Sequence, residues 1–295
     1  MIRTFDADDG AKLAFQDEGE GIPLLALAGL TRDGRDFDYL ARCLHSGVRL
    51  IRLDSRGRGG SARTGPATYN VAREARDALA LLDFLGIKQA AVIGSSRGGL
   101  LAMVMVSANK DRISGICFND VGPVLERDGL LRIGHYIGVT PAVNTLEEIA
   151  DRMSQAMPGF FHVSSMRWAE ETIRHFVQSG DHVELPYDRA LRIAFDEAMS
   201  QPLPTLWPLF DACAKIPLAL IRGANSDVLS RKTADEMLRR RPDMLFAEVP
   251  DRGHIPFLDE MESVSCIEKW LNAVAVRMHT HAVSLSTNAF RYRVE

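Results

Sequence analysis

The sequence predicts an α/β fold, in which a mostly parallel central sheet is covered by helices on both faces. Three observations lead to this prediction. Short apolar runs alternate along the chain with segments of helical periodicity. The runs are continuously apolar, as in strands that are buried on both faces. The length of 295 residues suits a single large core that carries an insertion.

The strands and helices follow one another in a regular order from the N-terminus. Residues 2–17 alternate apolar and polar side chains around the turn Asp8-Asp9-Gly10, which predicts an antiparallel hairpin. The runs IPLLALAG and VRLIRLDSRG then flank the helical segment RDFDYLARCLHSG. The pattern repeats through the helix VAREARDALALLDFLGI, the strand QAAVIG, the helix GLLAMVMVSANK and the strand ISGICFND. These segments predict the first six strands of the sheet.

The alternation stops between residues 121 and 208. This stretch carries helix-like segments broken by prolines and glycines, and we interpret it as a helical lid inserted after strand 6. Strand and helix order resumes with IPLALIRGANSD and ends with SVSCIEKWLNAV. The predicted core domain therefore combines residues 1–120 with residues 209–275. Two roles stay open for the C-terminal tail, residues 276–295: a mobile segment, or a contact with a partner. Whether the protein forms a homodimer also stays open.

Composition and charge favour a small molecule as the partner. Charged residues make up 25% of the chain and apolar residues 46%, which are ordinary values for a globular protein. The net charge of -4 provides no basic surface for nucleic acid or an anionic membrane. The N-terminus MIRTFDADDGAKLAF has acidic residues where a signal peptide has its apolar core, and no apolar run approaches the length of a membrane span. We therefore expect a cytoplasmic protein.

The cysteines and histidines give no indication of a metal site. The four cysteines are widely scattered and lack a metal-ligand spacing, so we expect reduced, mostly buried thiols. They are Cys43, Cys117, Cys213 and Cys266. His279 and His281 lie in a polar segment and are interpreted as solvated side chains. The sequence predicts neither a metal nor a cofactor.

A serine lies at the apex of a glycine-rich turn between a predicted strand and a predicted helix. The turn reads Gly94-Ser95-Ser96-Arg97-Gly98, and a Gly-x-Ser-x-Gly elbow of this kind lifts its central serine clear of the sheet. Ser96 is therefore the candidate nucleophile, and Ser95 points back into the turn. Glycine-rich turns also bind phosphate, but this one lacks the Gly-Lys-Ser/Thr ending of a P-loop and does not follow the first strand, as a dinucleotide-binding turn does.

A serine nucleophile needs a base and an acid that orients the base. With this elbow the acid and the histidine follow the serine along the chain, in that order. Asp227 ends the strand segment ALIRGANSD, and His254 follows it by 27 residues, after the next strand. We predict Asp227 as the acid and His254 as the base, with Asp120 at the end of strand 6 as the alternative acid. Asp251, three residues before His254, is expected to cap its loop.

The oxyanion that forms during acyl transfer needs two backbone N–H donors. The amide of Arg97, directly after the nucleophile, is predicted as one donor. The second donor is expected from the loop ALAGLTRDG after the third strand, at Leu30.

With these loops in place, the chain resembles an α/β-hydrolase, in the branch that contains esterases, enol-lactonases and carbon–carbon bond hydrolases. The resemblance spans roughly residues 5–272 and rests on the motifs AGLTRDGRDF, LDSRGRGGSA, GSSRGG, RGANSDVLS and DRGHIPF. It implies that Ser96 forms an acyl-enzyme that water then cleaves. In the second motif it implies mainly structural roles for Asp54, Arg56 and Ser61.

The pocket is expected between the oxyanion loop and the lid. Arg32 and Arg97 border it, and we hypothesise that guanidinium groups there bind an anionic substrate. For Arg97 the alternative is an internal ion pair with Asp120 or Asp33. Aromatic residues of the lid are further candidates for substrate contact or for lid core, namely Tyr136, Phe160, Phe161, Trp168 and Trp207.

Three functions remain open on these residues. The first is hydrolysis of a small carboxylic ester or lactone. The second is hydrolysis of a carbon–carbon bond in a vinylogous diketone by the same triad. The third, of another class, is a ligand receptor or a cofactor-free perhydrolase or oxygenase. A serine at the apex argues against haloalkane dehalogenases and epoxide hydrolases, which use an aspartate in this fold.

Overall fold

The computed structural model describes residues 1–291, with the side chains of residues 1–280. Ten strands follow one another along this part of the chain: β1 (Ile2–Asp6), β2 (Lys12–Glu18), β3 (Gly21–Leu27), β4 (Gly47–Leu53), β5 (Ala90–Ser95), β6 (Ile113–Asn119), β7 (Val177–Ser179), β8 (His182–Glu184), β9 (Leu218–Gly223) and β10 (Leu245–Val249). The helices are α1 (Asp38–Cys43), α2 (Val71–Phe84), α3 (Arg97–Ala108), α4 (Arg127–Tyr136), α5 (Leu146–Ala156), α6 (Ser165–His175), α7 (Leu191–Met199), α8 (Trp207–Ala212), α9 (Arg231–Arg240) and α10 (Met261–Arg291).

The predicted α/β fold is confirmed. Eight strands form one sheet in the order β1-β2-β4-β3-β5-β6-β9-β10. The pairs β1–β2 and β2–β4 are antiparallel, and all other pairs of this sheet are parallel. The carboxyl ends of the parallel strands therefore lie at one edge, where open α/β sheets bind their ligands.

The continuous apolar runs are explained by the two faces of the sheet. On β3, Leu25 and Leu27 pack into the core beneath α2 and α3, whereas Leu24 and Ala26 face the core that includes Trp270 of α10. Successive side chains of a strand point to opposite faces, so a strand with helices on both sides is apolar at every position.

A segment of mixed structure separates β6 from β9. It contains α4 to α8 and also the small antiparallel pair β7–β8, which the sequence did not predict. The end of the core was placed wrongly. The predicted boundary at residue 275 falls inside α10, which continues to Arg291.

The structure describes only part of the predicted C-terminal tail. The side chain of His281 and all of residues 292–295 lie outside them, whereas His279 lies within. Among the helices that the structure describes, none combines the length and the hydropathy needed to cross a bilayer.

Candidate active site

Ser96 stands between a strand and a helix on a sharply bent backbone. β5 ends at Ser95, α3 begins at Arg97, and Ser96 itself has φ 50° and ψ −116°. A Cβ on Gly98 would lie 1.9 Å from the carbonyl oxygen of Leu27, and one on Gly94 would lie 2.4 Å from the backbone nitrogen of Gly99. Only glycine allows α3 to approach the strands this closely, and this approach lifts the hydroxyl of Ser96 above the sheet edge.

His254 joins the serine to a buried carboxylate. Its Nε2 lies 2.8 Å from Ser96 Oγ, and its Nδ1 lies 2.7 Å from Asp120 Oδ2. The three side chains form one continuous chain of hydrogen bonds. With a proton on Nδ1, the free pair on Nε2 faces the hydroxyl, which is the arrangement that a general base needs.

The carboxylate that is hydrogen-bonded to His254 is that of Asp120, and not that of Asp227 as the sequence predicted. The side chain of Asp227 turns to the insertion, where its Oδ2 accepts a hydrogen bond from Arg132 Nε at 2.5 Å. Asp120 is fully buried and accepts two further hydrogen bonds, from the amide of Gly223 at 2.9 Å and from the hydroxyl of Ser226 at 2.6 Å. The loop after β9 therefore contributes donors that hold the acid, and the acid itself comes from the end of β6.

Leu30 and Arg97, the residues predicted to supply the oxyanion donors, both lie near Ser96. Leu30 lines the same cavity as Ser96, and the amide of Arg97 is the first of helix α3. Within the described part of the chain, neither amide N–H donates to a backbone carbonyl. The carbonyl oxygen of Leu30 accepts a hydrogen bond from Arg58 Nε at 2.8 Å, which fixes the orientation of this loop.

The charge of Arg97 is compensated inside the protein. Its Nε and Nη2 donate to the two carboxylate oxygens of Glu74 at 2.9 and 2.8 Å. Arg58 Nη1 donates to the same carboxylate at 3.1 Å. Burial alone would raise the pKa of Glu74, but the charges of Arg58 and Arg97 outweigh it and hold that pKa below its usual range. The internal pair expected for Arg97 therefore exists, with Glu74 and not with Asp120 or Asp33 as its partner.

A cavity of about 310 Å³ opens over Ser96 and His254. Its walls come from the oxyanion loop, from α4 and α5, and from the residues around β7 and β8. Most of them are apolar, among them Ile133, Val139, Met153, Met157, Phe176 and Leu185. Arg32 is the one lining residue with a permanent charge, and no lining residue in the described part of the chain is a carboxylate. The cavity thus combines an apolar wall with a single cation, and it suits a small substrate.

Arg32 also borders a second, smaller cavity of about 30 Å³, together with Asp36, Glu171 and His175. Its Nη1 lies 3.4 Å from Asp36 Oδ1, a long contact for an ion pair. Burial raises the pKa of both carboxyl groups against the opposing charge of Arg32. Burial also lowers the pKa of His175 well below its usual range, and the charges of Arg32 and Arg174 add to this effect. Around Arg32, the environment therefore disfavours the ionised forms of Asp36, Glu171 and His175.

The aromatic residues predicted from the insertion divide into three groups. Tyr136 lines the larger cavity. Phe160 and Trp168 line the smaller one and pack edge to face, with ring centroids 5.8 Å apart. Phe161 is 55% exposed and Trp207 packs against Phe210, so neither lines a cavity described here. Sequence reasoning missed His175, Asp36 and Glu171, because no motif or spacing distinguishes them from surface residues of amphipathic segments.

Asp54, Arg56 and Ser61 hold loops in place, away from the cavity. The carboxylate of Asp54 accepts hydrogen bonds from the backbone amides of Gly34 and Gly60 at 2.8 and 2.9 Å. Arg56 is fully buried and pairs with Asp77 at 2.6 and 2.8 Å. Ser61 donates to the carbonyl of Asp54 at 2.5 Å. These are structural contacts, as the family resemblance implies for this motif.

The cysteines take no part in the site. Cys117, Cys213 and Cys266 are buried and Cys43 is partly buried, all as free thiols. Burial raises the pKa of Cys213 to about 12. Among the described residues, no group of three or more His, Cys, Asp or Glu side chains is arranged to hold a metal ion.

Comparison with known proteins identifies relatives of this fold and site. A family model described as "Alpha/beta hydrolase family" matches residues 24–265. The 3-hydroxybutyrate-oligomer hydrolase of Cupriavidus necator is 35% identical over 246 residues, 80% of this chain and 84% of the relative. A crystal structure of an α/β hydrolase from Novosphingobium aromaticivorans superposes with a TM-score of 0.85 at 34% identity, covering 92% of this chain and 98% of the other. An E-2-(acetamidomethylene)succinate hydrolase shares the fold, with a TM-score of 0.78 at 18% identity, over 92% of this chain and all of the other.

Proposed function

Because the chain belongs to the α/β-hydrolase family, we propose that it is a serine ester hydrolase in which Ser96 is the nucleophile, His254 the base and Asp120 the orienting acid. The observation that carries this proposal is the unbroken chain of hydrogen bonds from Ser96 Oγ through both ring nitrogens of His254 to Asp120. An acyl-transfer site of this kind is recognised by such geometry and not by the positions of its residues in the sequence.

The proposed reaction has two steps with the same proton carrier. In the first, Ser96 Oγ attacks the ester carbonyl while His254 Nε2 takes its proton. The oxyanion forms next to the amides of Leu30 and Arg97, at the N-terminus of α3, where the helix dipole favours negative charge. His254 then gives the proton to the leaving alcohol. In the second step, water attacks the acyl-enzyme by the same route and releases the acid.

Short oligoesters of hydroxy acids are the proposed substrates. The relative from Cupriavidus necator, similar over most of both chains, acts on 3-hydroxybutyrate oligomers according to its name. A volume of about 310 Å³ lies at the small end of ligand pockets, and its mostly apolar walls suit short aliphatic units with branches. In this proposal, residues 121–208 act as the lid, since α4, α5 and the segment around β8 supply most of these walls.

The test compares hydrolysis of 3-hydroxybutyrate dimers and trimers, p-nitrophenyl butyrate and a lactone by matched variants. We expect Ser96→Ala to abolish turnover. Asp120→Asn should lower kcat by about 10⁴-fold, because the histidine loses the partner that fixes its tautomer. Asp227→Asn, a neutralisation of the same kind outside the hydrogen-bonded chain, should change kcat by less than about 2-fold.

Three results would contradict parts of this proposal. Turnover that persists in Ser96→Ala excludes Ser96 as the nucleophile. A large loss in Asp227→Asn together with a small one in Asp120→Asn restores Asp227 as the acid. Cleavage of a vinylogous diketone without cleavage of any ester or lactone assigns the same triad to a carbon–carbon bond reaction.

A further inference from the structure

Arg32 is a cation whose hydrogen-bonding capacity is mostly unused. A guanidinium group has five N–H donors, and in the described part of the chain Arg32 places one of them 3.4 Å from a carboxylate oxygen of Asp36. Its side chain is 18% exposed and lines both cavities. Other groups that face it are Glu171 and His175 of α6 and Tyr136 of α4. None of them donates to or accepts from Arg32 within hydrogen-bond distance.

Arg32 is also close to the nucleophile. A Cβ built on Gly29 would lie 3.5 Å from Cγ of Arg32 and 3.8 Å from Cβ of Ser96, so both side chains pass close to this glycine. Because Arg32 and Ser96 both line the larger cavity, a ligand bonded to Ser96 occupies a cavity that Arg32 borders.

An oligoester of a β-hydroxy acid has its only carboxylate on the last unit. In the last ester bond, this carboxylate belongs to the alcohol part and lies four bonds, about 5 Å, from the carbonyl carbon that is attacked. The acyl part of every ester bond ends instead in a neutral hydroxyl. A cation beside the nucleophile therefore distinguishes the last ester bond from all the others.

We propose that Arg32 binds the free carboxylate of the leaving hydroxy acid, so that the enzyme removes single units from the carboxyl end of the oligoester. The inference rests on the proposed function, and it names the bond that is cleaved. Ser96 Oγ forms a bond to the carbonyl carbon, the carbon–oxygen bond to the last unit breaks, and His254 protonates the departing oxygen. Water then hydrolyses the acyl-enzyme, so that each cycle consumes one water and leaves an oligoester one unit shorter.

Three trimers of 3-hydroxybutyrate test the proposal on the unmodified protein: the free acid, its carboxamide and its O-acetyl derivative. We expect the carboxamide to be hydrolysed with a kcat/KM about 10- to 100-fold below that of the free acid, because a charge-assisted hydrogen bond is lost. Acetylation of the hydroxyl end should have little effect. The first products of the acetylated trimer should be acetylated dimer and free monomer.

Variants of Arg32 and Arg132 test whether the preference for the free acid over the carboxamide depends on Arg32. In Arg32→Met the ratio between free acid and carboxamide should fall to about one, and Arg32→Lys should recover part of it because it keeps the charge without the planar pair of donors. Arg132→Met removes the same charge from α4, outside the cavity, and should keep the ratio.

The results that would contradict the carboxylate site differ from those that would contradict the proposed function. Equal hydrolysis of free acid and carboxamide, or acetylated monomer as the first product, overturns the carboxylate site alone. The same holds if Arg32→Met keeps the ratio of the unmodified protein. If the unmodified protein hydrolyses none of the three trimers, or if Ser96→Ala hydrolyses them as well as the unmodified protein does, the proposed function is wrong and the carboxylate site with it. Should Arg32→Met fail to fold, the three trimers still decide the matter with the unmodified protein.

Discussion

Two arginines lie next to the reacting groups, and they differ in what surrounds them. Arg97 makes a two-fold contact with Glu74 at 2.8 and 2.9 Å, and this carboxylate is shared with Arg58. Arg32 has a single contact of 3.4 Å with Asp36 and faces the cavity. Their positions in the sequence, one residue after Ser96 and two residues after Leu30, do not indicate this difference. The partner of a guanidinium, more than its distance from the nucleophile, decides whether its charge is available to a substrate.

The carboxyl groups show the same contrast. The charges of two arginines hold the pKa of Glu74 below its usual range, against the effect of burial. Burial raises the pKa of Asp36 and of Glu171, and the charge of Arg32 only partly opposes it. Asp36 and Glu171 raise the pKa of Arg32 against the effect of burial, but burial also opposes their own ionisation, and the contact of Arg32 with Asp36 is long. A substrate carboxylate would be the best available counter-charge for Arg32.

The largest expected effect separates the two regions by stability. Glu74→Gln removes a buried charge that pairs with the buried Arg58 and the partly buried Arg97, and it should lower the free energy of unfolding by about 3–5 kcal/mol. Asp36→Asn removes a carboxylate that makes one long contact and should cost about 1 kcal/mol or less. Urea unfolding at neutral pH measures both. Equal losses would show that the two arginines are compensated alike, and the comparison would fail.

The next effect is a change in kcat without a comparable change in KM. In Arg58→Met, the carbonyl oxygen of Leu30 loses the hydrogen bond from Arg58. The loop that carries the proposed oxyanion donor is then held less firmly, so kcat should fall by about 10-fold with little change in KM. Arg56→Met is the matched control, because Arg56 is equally buried but pairs with Asp77 away from the cavity. It should reduce stability without reducing the kcat of the folded protein. A similar fall of kcat in both variants would indicate a general loss of packing.

The smallest expected effect is in the pH dependence of stability, to which Glu74 and Glu171 should contribute with opposite signs. The folded-state pKa of Glu74 lies below 4.5, so its contribution to stability is present above pH 4.5 and is lost as the pH falls through the folded value. For Glu171 the folded-state pKa lies above 4.5, so its contribution is present below pH 4.5 and is lost as the pH rises through that value.

Urea unfolding of Glu74→Gln and of Glu171→Gln between about pH 4 and pH 7 measures this pH dependence of stability. The free energy of unfolding should change by at most about 1.4 kcal/mol per pH unit for each group. The disadvantage of Glu74→Gln should grow as the pH rises to 4.5 and then stay constant. The Glu171→Gln variant should improve relative to the unmodified protein as the pH rises above 4.5. Slopes of the same sign would mean that both carboxyl groups experience the same kind of environment.

Local patterns were sufficient for most of the fold and for half of the site. The buried strands, the elbow at Ser96 and the histidine loop are each specified by a few consecutive residues, so they are readable in the sequence. The choice between Asp120 and Asp227 depends on which carboxylate meets Gly223, Ser226 and His254 in space, and both aspartates follow a strand. The pairing of Arg97 with Glu74 joins α3 to α2 across the core, and no short-range pattern encodes it. The extra turns of α10 were missed because their side chains lack a clear apolar period.

Asp120 precedes the insertion by a single position, and both groups that hold it, Gly223 and Ser226, follow the insertion. The proposed nucleophile, base and acid all lie outside residues 121–208, and Asp227 links the insertion to the core through Arg132. This division makes the enzyme modular. Recombination with the corresponding segment of a relative would exchange the chamber that selects the substrate and leave the proton-transfer machinery unchanged. A chimera that keeps an arginine at position 132 retains the tether between the two parts.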